Sequence, residues 1–333
     1  MQAVSKVESK NKLLIMVLAF AAVYLIWGST YLGIKFAIET LPPFIMAGSR
    51  FLVAGLILYI TARFMSDYER PRREHWRTSL IVGTLLLMGG NGLVVFAQHY
   101  ISSSMAALLI ATEPFWIVIL SWLWLKGGRP GIRAVFGIIV GFIGVSLLIL
   151  GGGSSQSSSV SGAAQIMATL AIIGASLAWA VGSIYGLRAP VPKSSLLTAG
   201  MQMISGGVVL LLASVLKGEW ATFDIAAVST NSWLALVYLV IFGSLIGFTA
   251  YSWLLKNARP AMVATYAYVN PIVAVILGWL IAGETMTGTM LIGAGIIVGS
   301  VVLITSQGSD GPEDDAPVHR TQPTGEHCPT YST

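Results

Sequence analysis

One apolar stretch occurs twice in this chain, and any fold it adopts has to accommodate both copies. Ser104–Leu125 reads SMAALLIATEPFWIVILSWLWL and Ala261–Ala282 reads AMVATYAYVNPIVAVILGWLIA. At a fixed offset of 157, Met105, Ala107, Pro114, Val118, Ile119, Leu120, Trp122 and Leu123 meet Met262, Ala264, Pro271, Val275, Ile276, Leu277, Trp279 and Leu280. Each copy is of membrane-spanning length, about 20 residues. Each carries a central proline preceded by a polar residue, Glu113 in one and Asn270 in the other. Paired, interrupted apolar helices are how membrane carriers build sites at mid-depth, so the pattern points toward transport.

A soluble alternative fails on composition. With 55% hydrophobic and 10% charged residues in 333, nearly the whole chain would have to be interior, which surface-to-volume scaling forbids. The single cysteine, Cys328, rules out a disulfide framework, and His75, His99, His319 and His327 show no metal-ligand spacing. The net charge of +5 does not imply nucleic acid, because the basic residues sit in short segments between apolar runs. No cofactor is implied: there is no Walker loop, HExxH pair or nucleophile elbow, and Gly151–Gly153 belongs to a linker.

Hydrophobic runs predict an all-α polytopic membrane protein with ten transmembrane helices, at 13–34, 43–64, 78–99, 103–125, 131–150, 163–187, 194–216, 232–255, 260–282 and 287–305. The first is not a cleaved signal peptide, since it is long, ends in WGSTY and lacks a small-residue cleavage site. Lys and Arg fall sixteen on one side against two, Lys35 and Lys217, on the other, with Arg50 inside the second span. That bias puts both termini in the cytoplasm and requires an even number of spans.

The repeat reaches beyond the opening stretch. Gly137–Gly141 (GIIVG) recurs as Gly295–Gly299 at offset 158, and at offset 152 Trp27 meets Trp179 while Ala47-Gly48 meets Ala199-Gly200. The chain therefore divides into a cytoplasmic N-terminus (1–12), a first five-helix repeat (13–150), a Gly/Ser linker (151–162), a second five-helix repeat (163–305) and a disordered cytoplasmic tail (306–333). Five is odd, so the halves enter from opposite sides and form inverted repeats. Such halves exchange conformations around a central cavity by alternating access. Pro114 and Pro271 are the expected hinges, because a proline frees backbone carbonyls that are tolerated only beside protein or a water-filled cavity.

Together, WGSTY closing the first span, SRFLVAGLIL in the second, the proline-centred fourth and ninth spans, LGWLIAGE after Pro271 and the closing glycine-rich spans resemble the EamA branch of the drug/metabolite transporter superfamily. The resemblance covers about 13–306. It implies an inner-membrane carrier, often an exporter of amino acids, metabolites or amphiphilic compounds. One departure is that Glu284 after the ninth span has no acidic counterpart after the fourth, which reads Lys126-Gly127-Gly128-Arg129-Pro130.

Candidate residues follow from cost. A carboxylate at the centre of a bilayer costs about 2.5–3.5 kcal/mol on insertion scales, so Glu113 is the first candidate, as proton carrier or partner of a cationic group. Alternatively it is a structural carboxyl, hydrogen-bonded to a neighbouring helix or paired with Arg50. Arg50 is a coupling residue, an anchor for a substrate carboxylate or a snorkelling cation. Trp27, Ser29, Thr30 and Tyr31 in the first half, with Trp179, Ser183, Tyr185, Tyr251, Tyr266 and Asn270 in the second, are candidate substrate-binding residues. Tyr266 and Asn270 lie four apart, on one helical face beside Pro271. Asn91, Gln98 and His99 are weaker candidates. The expected partners are a small-molecule substrate and the lipid bilayer, with protons as the candidate coupling ion. Oligomeric state is left open. An intramembrane enzyme or a non-transporting receptor is the alternative to a secondary carrier.

Overall fold

The computed structural model describes residues 13–124, 131–150, 161–258, 260–263 and 265–306, and among them every regular element is helical. The helices are α1 (Leu13–Ala37), α2 (Pro43–Arg63), α3 (Arg73–Ala97), α4 (Ser103–Ile110), α5 (Glu113–Trp124), α6 (Ile132–Leu150), α7 (Gly162–Arg188), α8 (Ser195–Leu216), α9 (230–257), α10 (Tyr266–Ala282) and α11 (Gly288–Ser306). Single turns form at Glu219–Thr222, Ile225–Ala227 and Pro260–Val263. The expectations for 1–12, for most of the linker and for the tail fall outside the described residues.

Seven helical stretches are long and apolar enough to cross a membrane, counting α4 and α5 as one, and three shorter apolar stretches lie at Ile132–Leu148, Val269–Ala282 and Gly288–Ile304. Leu56, Leu170, Leu212 and Leu291 all project outward, the surface a bilayer would cover. This is a multi-pass membrane protein.

Helix ends follow local chemistry. Pro43 opens α2 at a position where its missing N–H is not needed. Ser102, Ser161, Ser194 and Ser229 cap α4, α7, α8 and α9, each hydroxyl accepting a bond from a backbone N–H three residues on. Gly283, at φ +62°, ends α10 in the left-handed region. The basic segment expected to be loop through residue 77 becomes helix at Arg73, where His75 Nδ1 accepts the backbone N–H of Arg72 at 3.4 Å.

Glycines decide which helices meet. α2 and α8 make the most extensive helix–helix contact among the described residues, and α6 also packs along α11. A Cβ on Gly207 would lie 2.7 Å from the backbone nitrogen of Leu52 and 3.1 Å from the carbonyl of Gly48. One on Gly200 would lie 2.8 Å from the nitrogen of Tyr59 and 3.1 Å from the carbonyl of Gly55. Only hydrogen fits at such backbone approaches. α6 and α11 meet through Gly137 and Gly144 against Ser300, Ile304 and Ile296, whereas Gly295 and Gly299 have open space beside them. The glycines of the recurrent GIIVG are thus close-packed in one copy only. The two larger apolar cores among the described residues lie around Met46, Phe51, Met203 and Leu210 and around Leu108, Leu148, Ile172 and Ile297.

The two related stretches break differently. The first opens between Ile110 and Glu113, and Pro114 falls in the opening turn of α5, as its chemistry favours. The second breaks between Val263 and Tyr266, and α10 then runs through Pro271 without interruption. A proline in the second turn removes only the bond to the carbonyl of residue 267, a loss the helix absorbs once the chain has already broken upstream.

Candidate functional site

Where the helices lose regularity, a pocket opens with about 740 Å³ of empty space. Three helices carry wide π-turns, at Val23–Trp27 in α1, Thr84–Gly92 in α3 and Leu239–Ile246 in α9. Each delivers lining residues: Trp27, then Gly90 and Asn91, then Gly243. The breaks before α5 and α10 deliver Glu113 and Tyr266. A π-turn inserts one extra residue and shifts side chains off the regular helical face, which is how such turns serve functional sites.

An arginine and a glutamate reach the same pocket. Arg50 on α2 is 4% exposed, its Nε donates to Ser244 Oγ at 2.9 Å, and its guanidinium lies 4.8 Å from the Phe51 ring centroid. Buried this way, it does not snorkel. Gly243 makes room for it, since a Cβ there would stand 2.8 Å from Arg50 Nη2 and 2.9 Å from Thr30 Cγ2. Glu113 is 7% exposed and forms no ion pair with Arg50 or any other group among the described residues. Asn270, one turn along α10 from Tyr266, holds a buried Oδ1 with no hydrogen-bond partner among the described residues. An orphaned acceptor in a polar pocket is a place for a ligand donor.

Aromatic rings form the rest of the wall. Trp27 meets Phe248, Tyr251 and Tyr266 at centroid distances of 5.5, 5.1 and 5.4 Å, and its Nε1 donates to the Gly243 carbonyl at 3.2 Å. Thr30 Oγ1 donates to the Trp27 carbonyl at 2.6 Å. Trp179 from α7 reaches in against Gly90, where a Cβ would lie 2.8 Å from its ring.

Of the candidates read from sequence, Trp27, Thr30, Tyr31, Arg50, Glu113, Trp179, Tyr266 and Asn270 line this pocket, and so does the weaker candidate Asn91. Ser29 does not; its hydroxyl bonds the Ile26 carbonyl and the Tyr238 hydroxyl, beside a separate outward-facing groove. Tyr251 stands one layer back, against Trp27 and Tyr266. Ser183 and the exposed Tyr185 lie along α7 away from it. Pro114 and Pro271 sit next to lining residues without lining it themselves. Gln98 is buried outside the pocket with neither side-chain amide atom bonded among the described residues.

Phe51, Ala175, Gly243 and Phe248 were not singled out from sequence. Small and apolar residues in apolar spans carry no signal that separates lining from packing.

A clasp ties three helix ends together at one end of the bundle. Glu284, in the turn after α10, accepts the backbone N–H groups of Ser103 and Ser104 at 2.9 and 3.1 Å and both their hydroxyls, and Lys35 Nζ lies 3.1 Å away. It thereby ties the ends of α1 and α10 to the start of α4, where the helix dipole favours a negative charge. Burial works to raise its pKa. The bonds from Ser104 and Ser103, with Lys35, outweigh that and hold the carboxyl below its ordinary value.

Against known proteins, the model of the EamA-like transporter family matches residues 14–150 and 166–306. The uncharacterized inner membrane transporter YedA of Escherichia coli K12 is 38% identical over 288 residues, covering 86% of this chain and 89% of that protein. A probable amino-acid metabolite efflux pump of Salmonella typhimurium LT2 is 25% identical over 288 residues, covering 84% and 91%. A solved crystal structure, of a protein described no further, shares the fold at a TM-score of 0.59 and 21% identity, covering 88% of this chain and 98% of that one.

Proposed function

Since this chain belongs to the EamA-like transporter family, we propose that it is a secondary carrier of the inner membrane. It exports small metabolites carrying both an amine and a carboxylate, amino acids among them, by alternating access. The observation that supports this is the pocket, where Arg50 and Glu113 share one aromatic-walled space without pairing to each other. A zwitterion satisfies both charges and desolvates neither group alone. Its amine meets Glu113 and the Asn270 oxygen, its carboxylate meets Arg50, and Trp27, Trp179 and Tyr266 enclose its side chain.

The working architecture is ten spans in two inverted five-helix repeats. Its best support is reciprocity. Offset 152 turns Gly48 into Gly200 and Gly55 into Gly207, and the contact of Gly48 with Gly207 thereby becomes the contact of Gly200 with Gly55. A two-fold axis in the membrane plane does the same. Glu113 is the coupling residue, loading a proton as substrate leaves, and the chain breaks beside Pro114 and upstream of Pro271 are the hinges. Both termini are cytoplasmic, by the distribution of Lys and Arg.

Efflux from cells preloaded with mixed amino acids and amphiphilic compounds tests this, comparing wild type, Glu113→Gln and empty vector at two external pH values. A solute lost faster with wild type, with that gain and its pH dependence gone in Glu113→Gln, is the expected result. Equal efflux of every solute from wild type and vector, at verified expression, refutes export.

A further inference from the structure

Beside the α3–α8 crossing runs another concavity, an open groove remote from the pocket. α3 and α8 touch where a Cβ on Gly83 would fall 2.4 Å from the carbonyl of Gln202 and one on Gly206 would fall 2.6 Å from the carbonyl of Gly83. From Arg73 to Leu80 the helix rises about 10 Å, and Val208 lies about 20 Å along α8 from Ser195. The groove therefore starts at the membrane boundary and descends along Leu80, Ile204 and Val208 into hydrocarbon depth. Leu80 and Val208 are 50% and 42% exposed, and no part of the described chain covers them.

Its mouth is cationic. Arg72 is matched by Glu74 at 3.3 Å, and Glu74 also faces His75 at 3.9 Å. Arg73 and Arg77 have no ion pair or hydrogen bond among the described residues, yet both line the groove. Trp76 stands between them against Tyr59, with its ring at the depth where indoles favour the headgroup boundary. Two unmatched guanidinium groups above an apolar channel fit a molecule with a phosphate at one end and an acyl chain behind it.

We propose that this groove is a binding site for one anionic phospholipid of the cytoplasmic leaflet, its phosphate held by Arg73 and Arg77 and one acyl chain lying along Leu80, Ile204 and Val208. The inference uses the orientation given by the basic residues and is independent of what the carrier moves. Bound there, the lipid bridges α3 of the first half and α8 of the second.

Native mass spectrometry of the purified full chain tests it, with equimolar palmitoyl-oleoyl phosphatidylglycerol and phosphatidylcholine added. Wild type should retain the glycerol lipid over the choline lipid by about thirtyfold, as expected for two cations at the surface. Arg73→Gln with Arg77→Gln should bring the ratio to within about twofold, while Arg73→Lys with Arg77→Lys keeps most of it. Leu80→Trp, which fills the channel and leaves both charges, should reduce retention of the glycerol lipid. Arg63→Gln with Arg70→Gln, elsewhere on the same face, should change nothing. An equal loss in that control pair overturns the proposal, as does full retention in Leu80→Trp. Displacement by millimolar inorganic phosphate also overturns it, because the site would then recognise the anion without the chain. Should the Arg-to-Gln pair fail to fold, Leu80→Trp and the lysine pair still decide.

Discussion

Gly243 shows how much a single hydrogen atom governs in this pocket. Any larger residue there must displace the Arg50 guanidinium and the Thr30 methyl, which lie within 3 Å of where its Cβ would stand. Gly243→Ala should therefore leave expression intact and raise the KM for efflux about five- to tenfold, in keeping with the usual 1–3 kcal/mol of local overpacking. Efflux rates across a substrate titration measure it. Arg50→Lys is the companion test. Lysine keeps the charge but not the fork that donates through Nε to Ser244 while presenting its other nitrogens, so it too should weaken binding. At this scale the sequence was legible where chemistry is expensive. Glu113, Arg50 and Asn270 stood out because polar groups in apolar spans need a reason, whereas Gly243 and Phe248 matter through shape, which only the packed structure reveals.

At the level of helices, the same five letters have unequal weight. Gly137 and Gly295 both begin GIIVG, yet a Cβ at Gly137 would lie 2.7 Å from Ile304 and one at Gly295 would meet nothing within 4 Å. Gly137→Ala should lower the thermal unfolding midpoint in detergent by several degrees, and Gly295→Ala should leave it within about one degree. The Glu284 clasp yields a pH prediction. Its carboxyl is held below its ordinary value in the folded state, so its stabilisation is complete above the unfolded carboxylate range and is lost as pH falls through the lowered native value. Glu284→Gln should unfold about 2–4 °C earlier than wild type at pH 7, and the gap should close in strong acid. Helical segments were readable from hydropathy, most of their ends to within a few residues, but the three π-turns and the break upstream of Tyr266 were not. Both come from tertiary packing around the pocket and leave no periodic trace, and Pro271 attracted the prediction that belonged six residues earlier.

For the molecule as a whole, a single cysteine makes topology directly measurable. Cys328 should resist a membrane-impermeant maleimide in intact cells and react in inside-out vesicles, while Ser155→Cys in the linker of a Cys328→Ser background should show the reverse. Like reactivity of the two positions would refute the inverted arrangement. The proposed two-half organisation rests on related segments that keep register over long distances in the sequence, with an asymmetry between them hinted at by a missing acid. That asymmetry has a kinetic meaning. Glu284 fastens one face of the bundle through two backbone amides, two hydroxyls and an ammonium, and the sequence position that repeats it, 127, is a glycine, a residue without a side chain to accept such bonds. In the proposed alternating-access cycle, a clasp that fastens one face should lengthen the dwell of the state in which it is made. Under the proposed export, release of cargo would then wait on unfastening of this clasp, and the slow step would fall on the side from which the solute leaves.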